Sequence, residues 1–113
     1  FAALKYLSAF KGRKIAVIGD ILELGKSSKR VHQEIGSYII KNNIDIIITI
    51  GKYSKHINKS LRKNGFKKKN MKHFKTEELS RKYIDKVVNE NDTILIKGSN
   101  GMNLINLVQY LKK

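Results

Sequence analysis

The chain contains no cysteine and no proline among its 113 residues. Without cysteine it cannot form disulfides, thiolate nucleophiles or Cys-based zinc sites, and its three histidines lack the spacing of a metal-ligand set. No apolar run is long enough to span a bilayer, and residues 1–5 lack the charged-then-apolar order of a signal peptide. We therefore expect a soluble, intracellular protein with no metal site and no membrane partner.

Acidic residues are scarce: nine Asp and Glu stand against 24 Lys and Arg, for a formal net charge of +15. A field of that sign attracts nucleic acid, anionic membranes and phosphorylated ligands. Only four of the basic residues are Arg, the side chain that readers of bases and phosphates favour. The densest stretch, residues 52–86, has 13 basic and three acidic residues, and its ordinary interpretation is a solvated helix face and loop. Charge alone leaves open a basic α/β module that binds nucleic acid or another polyanion.

Four short apolar segments predict strands, at residues 14–18, 44–50, 72–75 and 92–96. Three of them are apolar at successive positions, as in strands that are buried on both faces of a parallel sheet. The third is short and polar, which predicts an edge strand. A leading helix is expected near Ala2–Ser8, and four later segments carry apolar stripes of helical period: Val31, Ile35, Tyr38 and Ile39; Tyr53, Ile57 and Leu61; Leu79, Tyr83 and Val87; Leu104, Leu107, Val108 and Leu111.

This alternation of strand and helix predicts an α/β fold in one domain, because 113 residues leave no room for a second core. We expect a Rossmann-like three-layer α/β/α architecture with a mainly parallel sheet in the strand order 3-2-1-4. Strands 1 and 4 are then neighbours, and ligands bind at the carboxyl ends of strands beside that switch point. The two loops that follow these strands, residues 19–28 and 97–103, should therefore meet and form a receptacle.

The first loop, G-D-I-L-E-L-G-K-S from Gly19, is not a phosphate-binding P-loop. It has five residues between its glycines where that motif needs four, and Asp20 and Glu23 would repel phosphates. The dinucleotide fingerprint is absent as well, so a small nucleotide-binding regulatory domain is excluded. The two carboxylates suit a substrate ammonium or a metal-bound phosphate, or they serve as helix N-terminal charges. On the spacing alone we favour the second interpretation.

The second loop, K-G-S-N-G-M from Lys97, follows the fourth strand and opens the last helix. Its glycines permit close backbone approach, and Lys97 and Ser99 add a charge and a hydroxyl, so an anion site is as well supported as a plain strand-to-helix turn. His32 lies beside an apolar helical stripe, where a half-buried structural histidine is commoner than a catalytic one. His56 and His73 are expected to face water.

Three motifs taken together resemble the carboxyl-terminal domain of the Mur ligases: G-D-I-L-E-L-G at residues 19–25, H-Q-E-I-G at residues 32–36, and K-G-S-N-G-M at residues 97–102. The resemblance covers nearly the whole chain and is closest to the Mur ligases that add D-alanyl-D-alanine to UDP-N-acetylmuramoyl-tripeptide. It implies a cytoplasmic, ATP- and Mg²⁺-dependent ligase of peptidoglycan synthesis, in which the amine attacks an acyl phosphate of the tripeptide.

The resemblance also implies a domain role for residues 1–113, which would receive the dipeptide and close over ATP. The amino-terminal domain, which holds the UDP-sugar, and the central ATPase domain are not in this chain. We therefore expect a fragment that is inactive alone, binds no cofactor tightly, and is a monomer with no nucleic-acid partner.

The resemblance assigns no catalytic residue and no metal ligand within this chain. It places a substrate-binding set and an ATP- or phosphate-binding set on the two loops and the first crossover helix. Exchange of Lys97 or Asp20 for Ala is expected to abolish activity in the full-length enzyme without loss of the fold. The substrate-binding set is Asp20, Glu23, His32, Ser99 and Asn100, and the phosphate-binding set is Lys97, Gly98, Ser99 and Gly101.

Overall fold

The computed structural model describes residues 2–21, 25–99 and 102–112. Its centre is a four-stranded sheet in the order β3-β2-β1-β4, and each neighbouring pair is parallel. This order confirms the predicted 3-2-1-4 arrangement, with the short third strand at one edge. The strands are β1 (Lys14–Gly19), β2 (Ile46–Ile50), β3 (Met71–Phe74) and β4 (Thr93–Lys97).

Helices cover both faces of the sheet, which makes the three predicted layers. One hydrophobic core lies between the sheet and α1, α2 and α3, and a second lies between the opposite face and α4 and α5. Successive β2 residues serve opposite cores, since Ile47 belongs to the first and Ile48 to the second. The helices are α1 (Ala2–Ser8), α2 (Ser28–Lys41), α3 (Lys55–Lys63), α4 (Glu77–Val87) and α5 (Leu104–Leu111).

The register of the sheet determines which loops share its carboxyl edge. In β1, Ile18 pairs with Lys97 of β4 on one side, and Gly19 pairs with Ile50 of β2 on the other. Three strands therefore end at the same level. The loops that follow them, and the amino ends of the helices that these loops enter, lie together along one edge.

The predicted helical stripes are correct for most positions but wrong at three. Leu79 is 60% exposed, and Tyr38 and Tyr53 are also exposed. In α4 the buried positions near the amino end are instead Glu77 and Ser80. Thr76 caps this helix by accepting the Leu79 N–H at 3.3 Å, and the face that packs on the protein carries Glu77, Ser80 and Ile84, so Leu79 lies outside it.

Among residues 2–21, 25–99 and 102–112, no helix combines the length and the apolarity that a bilayer crossing requires.

Candidate functional site at the carboxyl edge of the sheet

The loops after β1 and β4 are joined directly. The Ser99 N–H donates to the Asp20 carbonyl at 3.1 Å. The backbones are also in close contact, because a Cβ added to Gly98 would lie 3.2 Å from the Gly19 Cα and 2.7 Å from a methyl carbon of Leu104. The prediction that these two loops meet is confirmed, and the glycines are needed for their packing.

The carboxylate of Asp20 faces the protein interior. Its side chain is almost fully buried, with 3% exposure for the residue, and it accepts backbone N–H groups from Lys52 at 2.8 Å, Tyr53 at 3.0 Å and Ser54 at 2.7 Å. Gly51 makes room for it: its φ is +123°, and a Cβ there would lie 2.5 Å from the carboxylate. Asp20 therefore ties the turn between β2 and α3 to the end of β1, and its assignment as a substrate ligand stays a prediction.

His32 holds the loop between β1 and α2. The residue is fully buried, its Nδ1 lies 2.6 Å from the Ser28 carbonyl, and its Nε2 lies 3.1 Å from the Ile21 N–H. A carbonyl only accepts and an amide N–H only donates, so this pattern fits the tautomer with its proton on Nδ1. Both ring nitrogens thus have protein partners. Substrate binding by His32 stays a prediction, beside a structural role that the contacts show.

The loop after β4 uses part of its backbone internally. Besides the Ser99 N–H already described, the Met102 N–H donates to the Ser99 carbonyl at 2.9 Å. Lys97 is exposed, and it borders an apolar cavity of only about 20 Å³ among the described residues. Phosphate binding by Lys97 stays a prediction. The predicted ligands Glu23, Asn100 and Gly101 lie outside the described residues.

Magnesium has no ligand set in the described part of the chain. Within residues 2–21, 25–99 and 102–112, no group of three or more His, Asp or Glu side chains stands close enough to hold a metal ion. The Asp20 oxygens accept N–H groups instead. The residues that the structure describes at this edge do not fit a resident metal.

The carboxyl edge of the sheet also has a cavity that the sequence did not predict. A cavity of about 450 Å³ opens at the ends of β2 and β3 and is lined by Gly51, Lys52, Lys55, His73 and Lys75. His73 is half-buried, not facing water as expected, and burial lowers the pKa of its imidazole below the ordinary value. His56 is likewise partly buried, and burial lowers its pKa. The only signal in the sequence was a histidine beside lysines at the end of a predicted edge strand.

Comparison with known proteins identifies the family of this chain. Residues 1–100 match the family model described as Mur ligase, glutamate ligase domain. The chain is 36% identical over 110 residues to a UDP-N-acetylmuramoyl-tripeptide–D-alanyl-D-alanine ligase of Rickettsia prowazekii, covering 96% of this chain and 24% of that protein. It is 33% identical over 100 residues to the Bacillus subtilis ligase of the same name, covering 88% and 22%.

A solved structure gives the same result. A crystal structure of MurF from Acinetobacter baumannii superposes with a TM-score of 0.85 and 26% identity, covering 99% of this chain and 25% of that one. The chain thus spans about a quarter of the length of the proteins it matches. On the family model, which covers most of its residues, the chain belongs to the Mur ligase family and is similar to that family's glutamate ligase domain.

Proposed function

We propose that residues 1–113 are the carboxyl-terminal domain of an ATP-dependent ligase that adds D-alanyl-D-alanine to UDP-N-acetylmuramoyl-tripeptide in peptidoglycan synthesis. The observation that carries this proposal is the similarity of 96% of the chain to the Rickettsia ligase of that name. The amino-terminal and central ATPase domains would lie in the remaining three quarters of such a protein. A cytoplasmic location, a monomeric state and the absence of a nucleic-acid partner belong to the same proposal.

The joined loops support a positioning role for this domain. Forming a peptide bond from an amine and an activated carboxylate depends first on bringing the two groups together in the right orientation. The loops after β1 and β4 are joined by the Ser99–Asp20 hydrogen bond and by tight glycine packing, so they form a platform at the switch point. ATP supplies the phosphoryl group that activates the tripeptide carboxylate when it is bound.

The proposed role of each residue follows from its position in the two joined loops. Lys97 is exposed at the carboxyl end of β4, where its ammonium can meet a phosphate of ATP or the carboxylate of the dipeptide. Ser99, beside it, carries a hydroxyl at the junction of the two loops. Gly98 lets these loops approach one another. Glu23, Asn100 and Gly101 keep their proposed substrate and phosphate roles.

Asp20 and His32 are proposed to act mainly through the loops they hold. Their polar atoms already bond to backbone groups of the β2–α3 turn and of the loop before α2. A contact to substrate from either side chain would have to coexist with these bonds. Their first contribution is therefore the shape of the platform that presents Lys97 and Ser99.

A chimeric enzyme tests the proposal. This chain would replace the matching segment of the Rickettsia ligase, and release of inorganic phosphate would be followed with both substrates and ATP. We expect release that depends on D-alanyl-D-alanine. Lys97→Ala in the chimera should lower kcat/KM by about 10²-fold or more, since it removes a charge at the site of phosphate or carboxylate contact.

The matched control is Lys63→Ala, which removes an exposed lysine from the last turn of α3, at the far end of that helix from the site. It should leave kcat/KM within about two-fold, because isolated surface charges contribute little. A folded chimera that hydrolyses ATP without any dependence on the dipeptide would contradict the assignment. Equal activity of the Lys97→Ala and Lys63→Ala chimeras would contradict the role of Lys97.

A further inference from the structure

The cavity at the ends of β2 and β3 lies in the most one-sidedly charged part of the chain. Between Asp45 and Glu77 there are ten Lys and Arg residues and no acidic residue. Three of these lysines, Lys52, Lys55 and Lys75, line the cavity of about 450 Å³. Such a volume is within the ordinary range for small-ligand pockets.

His73, which lines this cavity, belongs to a polar network with Thr49 and Asn58. The fully buried Thr49 hydroxyl donates to the Asn58 Oδ1 at 2.5 Å and lies 2.8 Å from the His73 Nδ1. The hydroxyl has a single hydrogen, which is given to Asn58, so His73 must donate from Nδ1 to Thr49. The imidazole is thereby held in one orientation, and a hydrogen bond with the Gly51 backbone is a further contact of His73.

The charged side chains that line the cavity are those of the three lysines. Three carboxylates stand near it. Asp20 is buried and accepts three backbone N–H groups, Glu77 is paired with Arg81, and Glu78 lines a neighbouring cavity that Lys75 also borders. Helix α3 begins at Lys55, and its amino end adds the positive pole of the helix dipole. A group with negative charge that enters this cavity meets the side chains of three lysines, the amino end of a helix and a histidine. The Lys52 Nζ lies 5.5 Å from the centroid of the Tyr53 ring.

We propose that this cavity is a binding site for an oxyanion, a phosphate or carboxylate group, held by the ammonium groups of Lys52, Lys55 and Lys75 beside the His73 imidazole. The site is separate from Lys97 and the loop after β4, and it does not rest on the ligase assignment. A bound anion would favour the charged form of His73, opposing the effect of burial and of Lys55 and acting in the same sense as Asp20. Binding should therefore take up protons and strengthen as the pH falls.

The test is a titration of the 113-residue chain, carrying isotope-labelled histidine, with inorganic phosphate and with acetate at constant ionic strength. We expect saturable shifts of the His73 ring signals and a rise in the His73 pKa. The double variant Lys52→Ser/Lys75→Ser should weaken binding by about ten-fold or more, because it removes two of the three cations. Saturation by phosphate only, by acetate only or by both assigns the preferred oxyanion.

The matched control is Lys67→Ser/Lys68→Ser, which removes the same charge from exposed positions outside the cavity lining. It should change the dissociation constant by less than about two-fold. Thermal melts of both variants establish that each is folded, since all four lysines are exposed. Equal weakening in the two variants would show that net charge alone attracts the anion and would overturn the proposal. Shifts that never saturate, or that leave His73 unmoved, would overturn it as well.

Discussion

Replacing Asp20 tests whether its carboxylate holds the carboxyl edge together. In Asp20→Ala, the N–H groups of Lys52, Tyr53 and Ser54 lose their acceptor. Hydrogen bonds to a charged group contribute about 1.5–3 kcal/mol each, and a buried donor left unpaired costs about 1–3 kcal/mol. Some water will reach the vacated turn, so we expect a loss of about 3–5 kcal/mol in the free energy of unfolding.

Asp20→Asn separates the acceptor geometry from the rest of the side chain. The present Oδ1 accepts from Tyr53 and Ser54, whereas Oδ2 accepts only from Lys52. An amide can keep the first oxygen but then points its NH₂ at the Lys52 N–H, so one of three bonds is replaced by a donor–donor contact. We expect a loss of about 1–3 kcal/mol, smaller than in Asp20→Ala.

Urea denaturation followed by circular dichroism measures both losses. Asp45→Ala is the reference, since Asp45 is an exposed carboxylate that accepts a single N–H, that of Lys14, at 2.8 Å. It should cost less than about 1 kcal/mol. If Asp20→Ala were no more destabilising than Asp45→Ala, the role of Asp20 as a tie between loops would be wrong. The expectation that Asp20→Ala leaves the fold intact, which the motif alone favoured, would then be restored.

Three further predictions concern other contacts. His32→Phe should lower the free energy of unfolding by about 2–4 kcal/mol in urea denaturation, because it leaves the part-buried Ile21 N–H without its acceptor and removes the hydrogen bond to the Ser28 carbonyl; a change below about 1 kcal/mol would contradict it. Gly98→Ala should cost about 1–3 kcal/mol in the same assay, because its Cβ would lie 3.2 Å from the backbone Cα of Gly19 as well as 2.7 Å from a Leu104 methyl carbon that can rotate away; an unchanged midpoint would contradict it. The hydrogen bond from Arg13 holds the pKa of Asp92 below its ordinary value, so this pair should stabilise the fold above the unfolded pKa and lose that effect as the pH falls through the folded pKa. Thermal melts in acid should show a flatter pH dependence for Asp92→Asn than for the parent chain, and equal slopes would refute this.

The strands and their order were predictable because burial on both faces leaves a plain signal. A strand covered by helices on both sides is apolar at successive positions, and β2 shows this, since Ile47 and Ile48 face different cores. Helical stripes were less reliable, as Leu79 shows. It fits an apolar period, but its place near the capped amino end of α4 leaves it 60% exposed.

The candidate site was predictable only in part, because its contacts join residues far apart in the chain. Strand order alone brings the loops after β1 and β4 together, and that prediction is confirmed. The direction in which Asp20 points was not predictable. It depends on the turn after β2, more than thirty residues later, whose three N–H groups converge on the carboxylate. The cavity beside His73 requires the β2–β3 register as well, and a short polar strand carries little register information.

The pairing of Asp20 with Gly51 explains how an acidic residue can occur in a site that we propose binds anions. An exposed carboxylate beside Lys52 and Lys97 would repel a phosphate and partly neutralise the lysines. Here the carboxylate is turned inward, into space that exists only because Gly51 has no Cβ and takes a φ of +123°. Its negative charge is satisfied by the backbone N–H groups that shape the β2–α3 turn. The lysine ammonium groups therefore lie apart from this carboxylate. A side chain at position 51 would force the carboxylate outward, so Gly51→Ala should both destabilise the chain and weaken phosphate binding, whereas a purely structural glycine would affect only stability.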